Sequence, residues 1–440
     1  MQTVLMVASH PNQSFPDLAS DASQLEGTYR LFRNPQVKFA PMLKPHIDNT
    51  CKRAGKVKQI IVPHDTTEFI FSGEAPRPGL GMINRGTQGF LAHVSLAISS
   101  DGMRNPLGVL AVETISRTTR RGEKKGKADP ERESLRWLRG VDNVEQALQG
   151  QASAIHVMDR EADIYLLMSK MLQAGRRFVV RASWNRVVLA ESGGKGYLFN
   201  ALASQSPVVE REVSLSRRRP FPTPHERKAH PAREARLARL QFAAAAITIK
   251  RPPTDDKSLP PSMQIHAVHV WEVDTPEGLD PVEWWLYTNE PIGTPEEILA
   301  VVDIYRTRWI IEEFFKALKT GCQYEKRQFE TYHALLNVLA VFIPIAWQML
   351  ALRHAERFAP DAPADAILNP TQIEVLSTLP PIKLGPKPTM RDALLTIALW
   401  GGFLKRNGKP GWLVLGRGFE KLLAAEVAWR AARNRQISSN

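Results

Sequence analysis

A chain of 440 residues with 43% hydrophobic content is long enough to bury a sizeable core in two or three structural units. Its formal net charge of +13 excludes no fold, but predicts attraction to a polyanion, nucleic acid ahead of an acidic membrane surface. Two cysteines, Cys51 and Cys322, are too few for a disulfide framework and lack zinc-site spacing, which suits a reducing cytoplasm.

Residues 1–10 lack a basic segment, apolar stretch and small-residue cleavage pattern, so secretion is not indicated. Short helices are expected over 17–25 and 36–49, separated by the aromatic and basic stretch 28–34 (TYRLFRN), with Pro41 and Pro45 weakening the second helix. This is the pattern of a small helical DNA-contacting unit. Residues 58–71 (KQIIVPHDTTEFIF), 89–99 and 107–117 read as three consecutive antiparallel strands, the last two joined by the turn 100–106. A charged loop, 117–132, leads to a helix over 133–149, a strand over 154–158, a helix over 161–174 and a strand over 177–182. The order β-β-β-α-β-α-β is that of a ribonuclease-H-like α/β core.

About a hundred residues of strand-like and loop-like sequence follow, with strands expected over 208–215, 239–250, 264–273 and 283–288. They read as a β-rich insertion. Within it, 216–239 is dense in Arg, Lys and Pro, the composition of a mobile arm that either is simply solvated or contacts phosphates. A long helix is expected over 296–320, then helices over 331–357, 371–379, 390–404 and 419–433. Residues 334–352 are apolar for nearly a membrane span, but Asn337, Pro344 and Gln348 mark them as a buried core helix.

The segment 304–319 (IYRTRWIIEEFFKALK) carries the strongest pattern. At about 100° per residue, Tyr305, Arg308, Glu312, Lys316 and Lys319 fall within an arc of about 80°. Ile304, Ile311, Phe314, Phe315 and Leu318 form a second stripe that anchors the helix on a core. Asp65 interrupts an apolar strand, where an acid is unfavourable unless it is salt-bridged or used. Asp159 stands at a strand-to-helix corner, a place for a ligand or a cap.

Tyr305, Arg308, Glu312 and Lys319 reproduce the Y-x2-R-x3-E-x6-K signature of the insertion-sequence-four group of DDE transposases, and the chain resembles that group in two further blocks. Asp65-Thr66-Thr67 is similar to its D-T-T motif and Asp159-Arg160-Glu161-Ala162-Asp163 to its D-R-E-A-D motif, in the same order. The resemblance implies that Asp65, Asp159 and Glu312 are catalytic and bind two Mg2+ ions, for which Mn2+ can substitute. Hard cations of this kind take oxygen ligands and need no histidine, so His64 and His156 are read as structural. It further implies that Arg308, Lys316, Lys319 and Arg181 contact phosphates, that Tyr305 bonds a phosphate or packs, and that Trp284 meets a flipped base, with Trp285 on the opposite side of its strand.

Cut-and-paste transposition through a DNA hairpin follows from the resemblance, with transposon ends and target DNA as partners, a homodimer using residues 391–433, and the bacterial cytoplasm and nucleoid as its place. The division expected is a helical DNA-binding region at 1–55, the core at 56–182, the insertion at 183–293, the catalytic helix at 294–330 and a helical region at 331–440. The similarity enters partway through the group's N-terminal region, which implies a shortened end-recognition unit. A regulatory or inactive DNA-binding remnant, and a nuclease on the same core without strand transfer, are the rival readings.

Overall fold

A computed structural model describes residues 22–439 except 74, 85–86, 118–131, 191–193, 216, 218–231, 328, 381–383 and 386. The elements in chain order begin with α1 (Ala22–Arg33), α2 (Phe39–Val57), β1 (Gln59–Phe71), β2 (Gly81–Asn84), β3 (Thr87–Ser99), β4 (Pro106–Ile115) and α3 (Arg136–Leu148). They continue with β5 (Ser153–Met158), α4 (Tyr165–Gln173), β6 (Arg177–Arg181), β7 (Val187–Leu189), β8 (Lys195–Tyr197), α5 (Leu198–Ala203), β9 (Val209–Leu215), β10 (Arg236–Lys250), β11 (Ser262–Val273) and β12 (Glu283–Thr288). The remainder is helical: α6 (Pro295–Arg306), α7 (Trp309–Lys316), α8 (Tyr332–Phe358), α9 (Pro370–Thr378), α10 (Met390–Trp400) and α11 (Trp412–Ser439). The fold is therefore mixed α/β with a helical C-terminal part. The expected loop at 117–132 and most of the expected arm at 216–239 lie outside the described residues.

The chain divides into two compact units, Met1–Ser153 with Trp309–Asn440, and Ala154–Arg308. In the first, β3 pairs antiparallel with β1 along one edge and with β2 and β4 along the other, so the three-strand expectation holds with a short extra strand. Residues 28–33 do not separate two helices as expected but belong to α1, and α2 runs on to Val57. Pro41 is tolerated there because it falls in the first turn, where its missing N–H has no intrahelical partner. Pro45 lies inside the helix.

Helix α8 is long and apolar enough to cross a membrane by length and composition alone, yet 78% of its apolar window is buried inside the protein. It is the core helix of this unit, its buried side chains clustered with Phe69, Phe90, Tyr324 and Phe419. Asn337, which lies within it, spends its amide on the carbonyls of Phe32 and Val37, 3.0 and 2.9 Å away. Its amide nitrogen is thereby satisfied in the interior, while Oδ1 has no hydrogen-bond partner among the described residues.

Helix starts follow their local sequence. Thr294 with Glu297, Asn369 with Gln372 and Thr389 with Asp392 each form a reciprocal capping box, the first two with Pro at the first helical position. Helix α11 begins at Trp412, ahead of the expected 419, because Gly416 and Gly418 permit backbone-to-backbone docking. A Cβ on Gly418 would lie 1.8 Å from the Ile397 carbonyl oxygen, and one on Gly416 would lie 2.0 Å from that of Gly321. Gly418→Ala should therefore lower stability by about 3 kcal/mol, read from the urea midpoint, and an unchanged midpoint would contradict this close packing.

In the second unit, β5 and β6 are parallel and joined through α4, and the expected insertion continues their sheet in the order β5-β6-β12-β11-β10-β7-β8, with β9 on β10. Strand β12 pairs with β6 through Leu286 and Arg181, so strands distant in sequence lie side by side. Strand β10 starts at Arg236, inside the stretch expected to be an arm.

The single long helix expected over 296–320 is not formed. Helix α6 ends at Arg306, and the Thr307 hydroxyl donates back to the Asp303 carbonyl at 3.0 Å, while Thr307 and Arg308 N–H groups reach back only three residues. Such tightening and back-bonding end an α-helix. After α7, Ala317–Gly321 forms a π turn, with Cys322 N–H donating to the Ala317 carbonyl at 2.8 Å. Steps of 100° per residue therefore do not run unbroken from Tyr305 to Lys319.

Candidate active site

Two of the three expected carboxylates belong to the first unit. Asp65 is half-buried on β1, opposite Val94 of β3, and its Oδ1 accepts from Thr66 N–H at 2.8 Å. By strand alternation it shares a face with Phe69 and Phe71, which are buried against the Tyr324 ring. Helix α7 packs on β1, and Glu312 stands half-buried in its first turn. The anchoring stripe of that helix behaves as expected: Ile311, Phe314 and Phe315 are buried.

Lys319 belongs to the same neighbourhood. The π turn sets its Nζ 5.6 Å from the centre of the Phe69 ring and 3.9 Å from Glu325 Oε1. Lys316 Nζ instead donates to Glu313 Oε1 at 2.5 Å and is more than half exposed.

The opposite face of β1 carries a buried polar network. Arg136 Nε donates to Thr66 Oγ1 at 2.9 Å, and Thr66 Oγ1 lies 2.9 Å from His93 Nδ1. His64 Nδ1 lies 2.9 Å from Ser95 Oγ, and the two imidazoles stack with centres 5.9 Å apart. Burial beside Arg136 and Arg139 pushes His93 down to about 3, so it is neutral at pH 7. The Thr66 hydroxyl accepts from Arg136 and keeps both a proton and a second lone pair for His93 Nδ1, so the direction of that bond follows the His93 tautomer, while His93 Nε2 is buried with no hydrogen-bond partner among the described residues. A side chain on Gly140 of α3 would come within 2.8 Å of that Nε2. The structural reading of His64 and His156 fits, both being fully buried. Sequence reasoning missed the network as a whole, although His-x-Thr in β1 and His-x-Ser in β3 show it at period two.

The second unit holds the remaining expected residues. Asp159 directly follows β5 and caps the turn Arg160–Ala162, its Oδ1 accepting from Glu161 N–H at 2.9 Å. Asp163, at the end of the same motif, is a buried structural carboxylate paired with Arg186. Arg181 closes β6 with Nη2 3.4 Å from the Glu283 carbonyl. Trp284 meets the buried Tyr305 ring edge-on at 5.9 Å, so Tyr305 packs. As expected, Trp285 faces the other way, stacked on His269 at 3.5 Å and on Phe199 at 4.7 Å. Arg308 is buried.

Among the described residues, no group of three or more His, Cys, Asp or Glu side chains is gathered as a ready metal cluster. The donors on hand are nevertheless of the right kind for a hard cation. Asp65, Asp159 and Glu312 all offer carboxylate oxygens at half-buried positions. The competing soft ligands are withdrawn: both cysteines are buried, and burial pushes the Cys322 thiol up to about 12.

Residues 138–342 match the family model described as the Transposase DDE domain, a stretch that includes Asp159, Arg181, Trp284 and the whole 304–319 segment but not Asp65. Residues 3–37 match a second family model, Transposase DNA-binding, of which 22–37 are described here. A cryo-EM structure of a piggyBac transposase synaptic complex with hairpin DNA is similar at 11% identity and a TM-score of 0.35, over 92% of this chain and 71% of that chain. Likeness that low carries nothing further. The two family matches, a DNA-binding segment ahead of a DDE domain, support a DDE transposase, a divalent-metal-dependent enzyme that has DNA as its partner.

Proposed function

We propose that the chain is a cut-and-paste transposase of the insertion-sequence-four group, with a ribonuclease-H-like core in which Asp65, Asp159 and Glu312 act on one phosphodiester. The observation that carries the proposal is that α7 packs on β1, which brings the element bearing Glu312 against the strand bearing Asp65. Two Mg2+ ions held by the three carboxylates would activate the attacking oxygen and stabilise the leaving one. The alternation of β1, the packing of Phe314 and Phe315 and the capping turn at Asp159 fix the ligand-bearing backbone.

Lys319, Lys316, Arg308 and Arg181 engage phosphates, Lys319 from a π turn buttressed by α11 through Gly416. Trp284, backed by the Tyr305 ring, receives a base displaced from the stack. In this reading water nicks one strand, the released 3′-hydroxyl attacks the other strand to close a hairpin, and a second water opens it before insertion. Residues 391–433 supply the contacts of a homodimer, and the protein works on the bacterial nucleoid.

The test is strand transfer. Purified protein with Mg2+ should join the 3′-hydroxyl ends of excised DNA to a target plasmid, and EDTA should abolish both joining and cleavage. Cleavage without joining would indicate a nuclease, and DNA binding with neither reaction would indicate a regulatory protein.

A further inference from the structure

The second unit presents a tryptophan whose setting is more elaborate than a chance surface residue requires. Trp184, three residues beyond the end of β6, is 65% exposed. Its backbone is nonetheless held from beneath by Asp163, a buried carboxylate whose Oδ2 accepts from the N–H groups of Ser183 and Trp184 at 2.7 and 2.9 Å. Asp163 Oδ1 accepts from Arg186 Nε at 2.7 Å, and Arg186 Nη2 donates to the Asp163 carbonyl at 2.7 Å. The Trp184 carbonyl accepts from Arg186 N–H at 2.9 Å and lies 3.4 Å from the Tyr287 hydroxyl. A buried ion pair brings little net stability. Here it fixes a short turn whose largest side chain faces solvent.

A second exposed ring adjoins that turn. Leu198 N–H donates to the Arg186 carbonyl and Phe199 N–H to the Asn185 side chain, both at 2.9 Å. These bonds bring the end of β8 alongside residues 185–186, and with it Tyr197, 55% exposed, and the exposed Lys195. Arg181 lies three residues before Trp184 on β6. Two exposed rings on adjoining segments that also carry Lys195 and Arg181 suit a ligand that combines flat apolar faces with negative charge. An intact duplex hides those faces inside its stack, whereas an unpaired nucleotide offers both.

We propose that Trp184 and Tyr197 form a preorganised aromatic platform that stacks unpaired bases of the DNA, with Lys195 and Arg181 beside its phosphates. The proposal rests on DNA being the partner and assigns a contact separate from that of Trp284. Rigid mounting of Trp184 reduces the ordering cost of binding.

The test uses the full chain in EDTA, so that no cleavage occurs, and compares by fluorescence anisotropy a blunt duplex with the same duplex carrying a single-stranded overhang. Trp184→Ala and Trp184→Leu should each weaken binding to the overhang DNA by about tenfold while leaving the blunt duplex within about twofold, and Trp184→Phe should retain most of the affinity. Tyr197→Ala should show a smaller loss with the same selectivity. Wild-type affinity in both Trp184→Ala and Trp184→Leu, or equal losses on the two DNAs, would overturn the platform while leaving the DNA-partner reading intact. Failure of the wild-type protein to bind either DNA would overturn both.

Discussion

Glu312→Ala is expected to lower Mg2+-dependent DNA cleavage by about a thousandfold or more, equivalent to about 4 kcal/mol of lost transition-state stabilisation. DNA affinity measured without metal should stay near that of the wild type. The separation follows from how α7 is built. Its attachment to the core runs through Ile311, Phe314 and Phe315, all buried, while Glu312 is only half-buried in the first turn. Truncating Glu312 removes the proposed metal ligand and leaves that apolar stripe whole. Glu312→Gln should be nearly as inactive, because a neutral amide keeps the shape but supplies a poorer donor to a hard cation. Single-turnover cleavage alongside metal-free binding distinguishes this result from general unfolding, and cleavage at the wild-type rate would remove Glu312 from the chemistry.

The second large effect concerns acid. His46 on α2 accepts from Val109 N–H at 3.1 Å, and burial together with the nearby Arg53 lowers it to about 3. His93 is lowered to a similar value by burial and by Arg136 and Arg139. An imidazole held neutral in the folded protein takes up a proton more readily once unfolded. The folded state is therefore favoured above the ordinary histidine value and loses that advantage as pH falls from about 6.5 towards 3. At pH 4 each histidine should subtract roughly 3 kcal/mol from unfolding free energy. Urea midpoints followed by circular dichroism should drop steeply over that interval, and His46→Gln should reduce the drop by about half. An unchanged pH dependence in the variant would show that His46 is not held neutral.

How far the chain could be read beforehand depended on how local the governing interactions are. Strands β1, β3, β4, β5 and β6 were legible because short apolar runs and turn residues delimit them, and α6, α9 and α10 because capping boxes mark their starts. The break at Thr307 was not, since a hydroxyl bonding back to Asp303 competes with a helix that residue periodicity otherwise favours. Nor was the π turn at Ala317–Gly321, which depends on glycine-mediated docking of α11, a contact between residues about a hundred positions apart. Helix α11 itself began early for the same reason: Gly416 and Gly418 look unfavourable for a helix until the backbone they admit is known.

The candidate site shows the same division. Asp65 stood out because an acid inside an apolar strand needs a reason, and Glu312 because its helix face alternates with a clear anchoring stripe. The structure places both on elements of one unit that pack together. Asp159 lies in the other unit as a turn cap, a role compatible with its corner position in the sequence. The polar stripe from Tyr305 to Lys319 was a weaker guide, since Tyr305 and Arg308 are buried and the helix is interrupted between them and Glu312. Long-range partners such as Arg136 for Thr66, or Asp163 for the backbone of Trp184, become visible only in three dimensions.

The most direct measurement is Mg2+-dependent cleavage by Asp65→Asn, Asp159→Asn and Glu312→Gln side by side, each checked for wild-type folding and metal-free DNA binding. Joint action of the three carboxylates predicts that every one of these variants is silent at any Mg2+ concentration. Near-normal cleavage by a folded, DNA-binding variant of any one of them, Asp159→Asn above all, would contradict it.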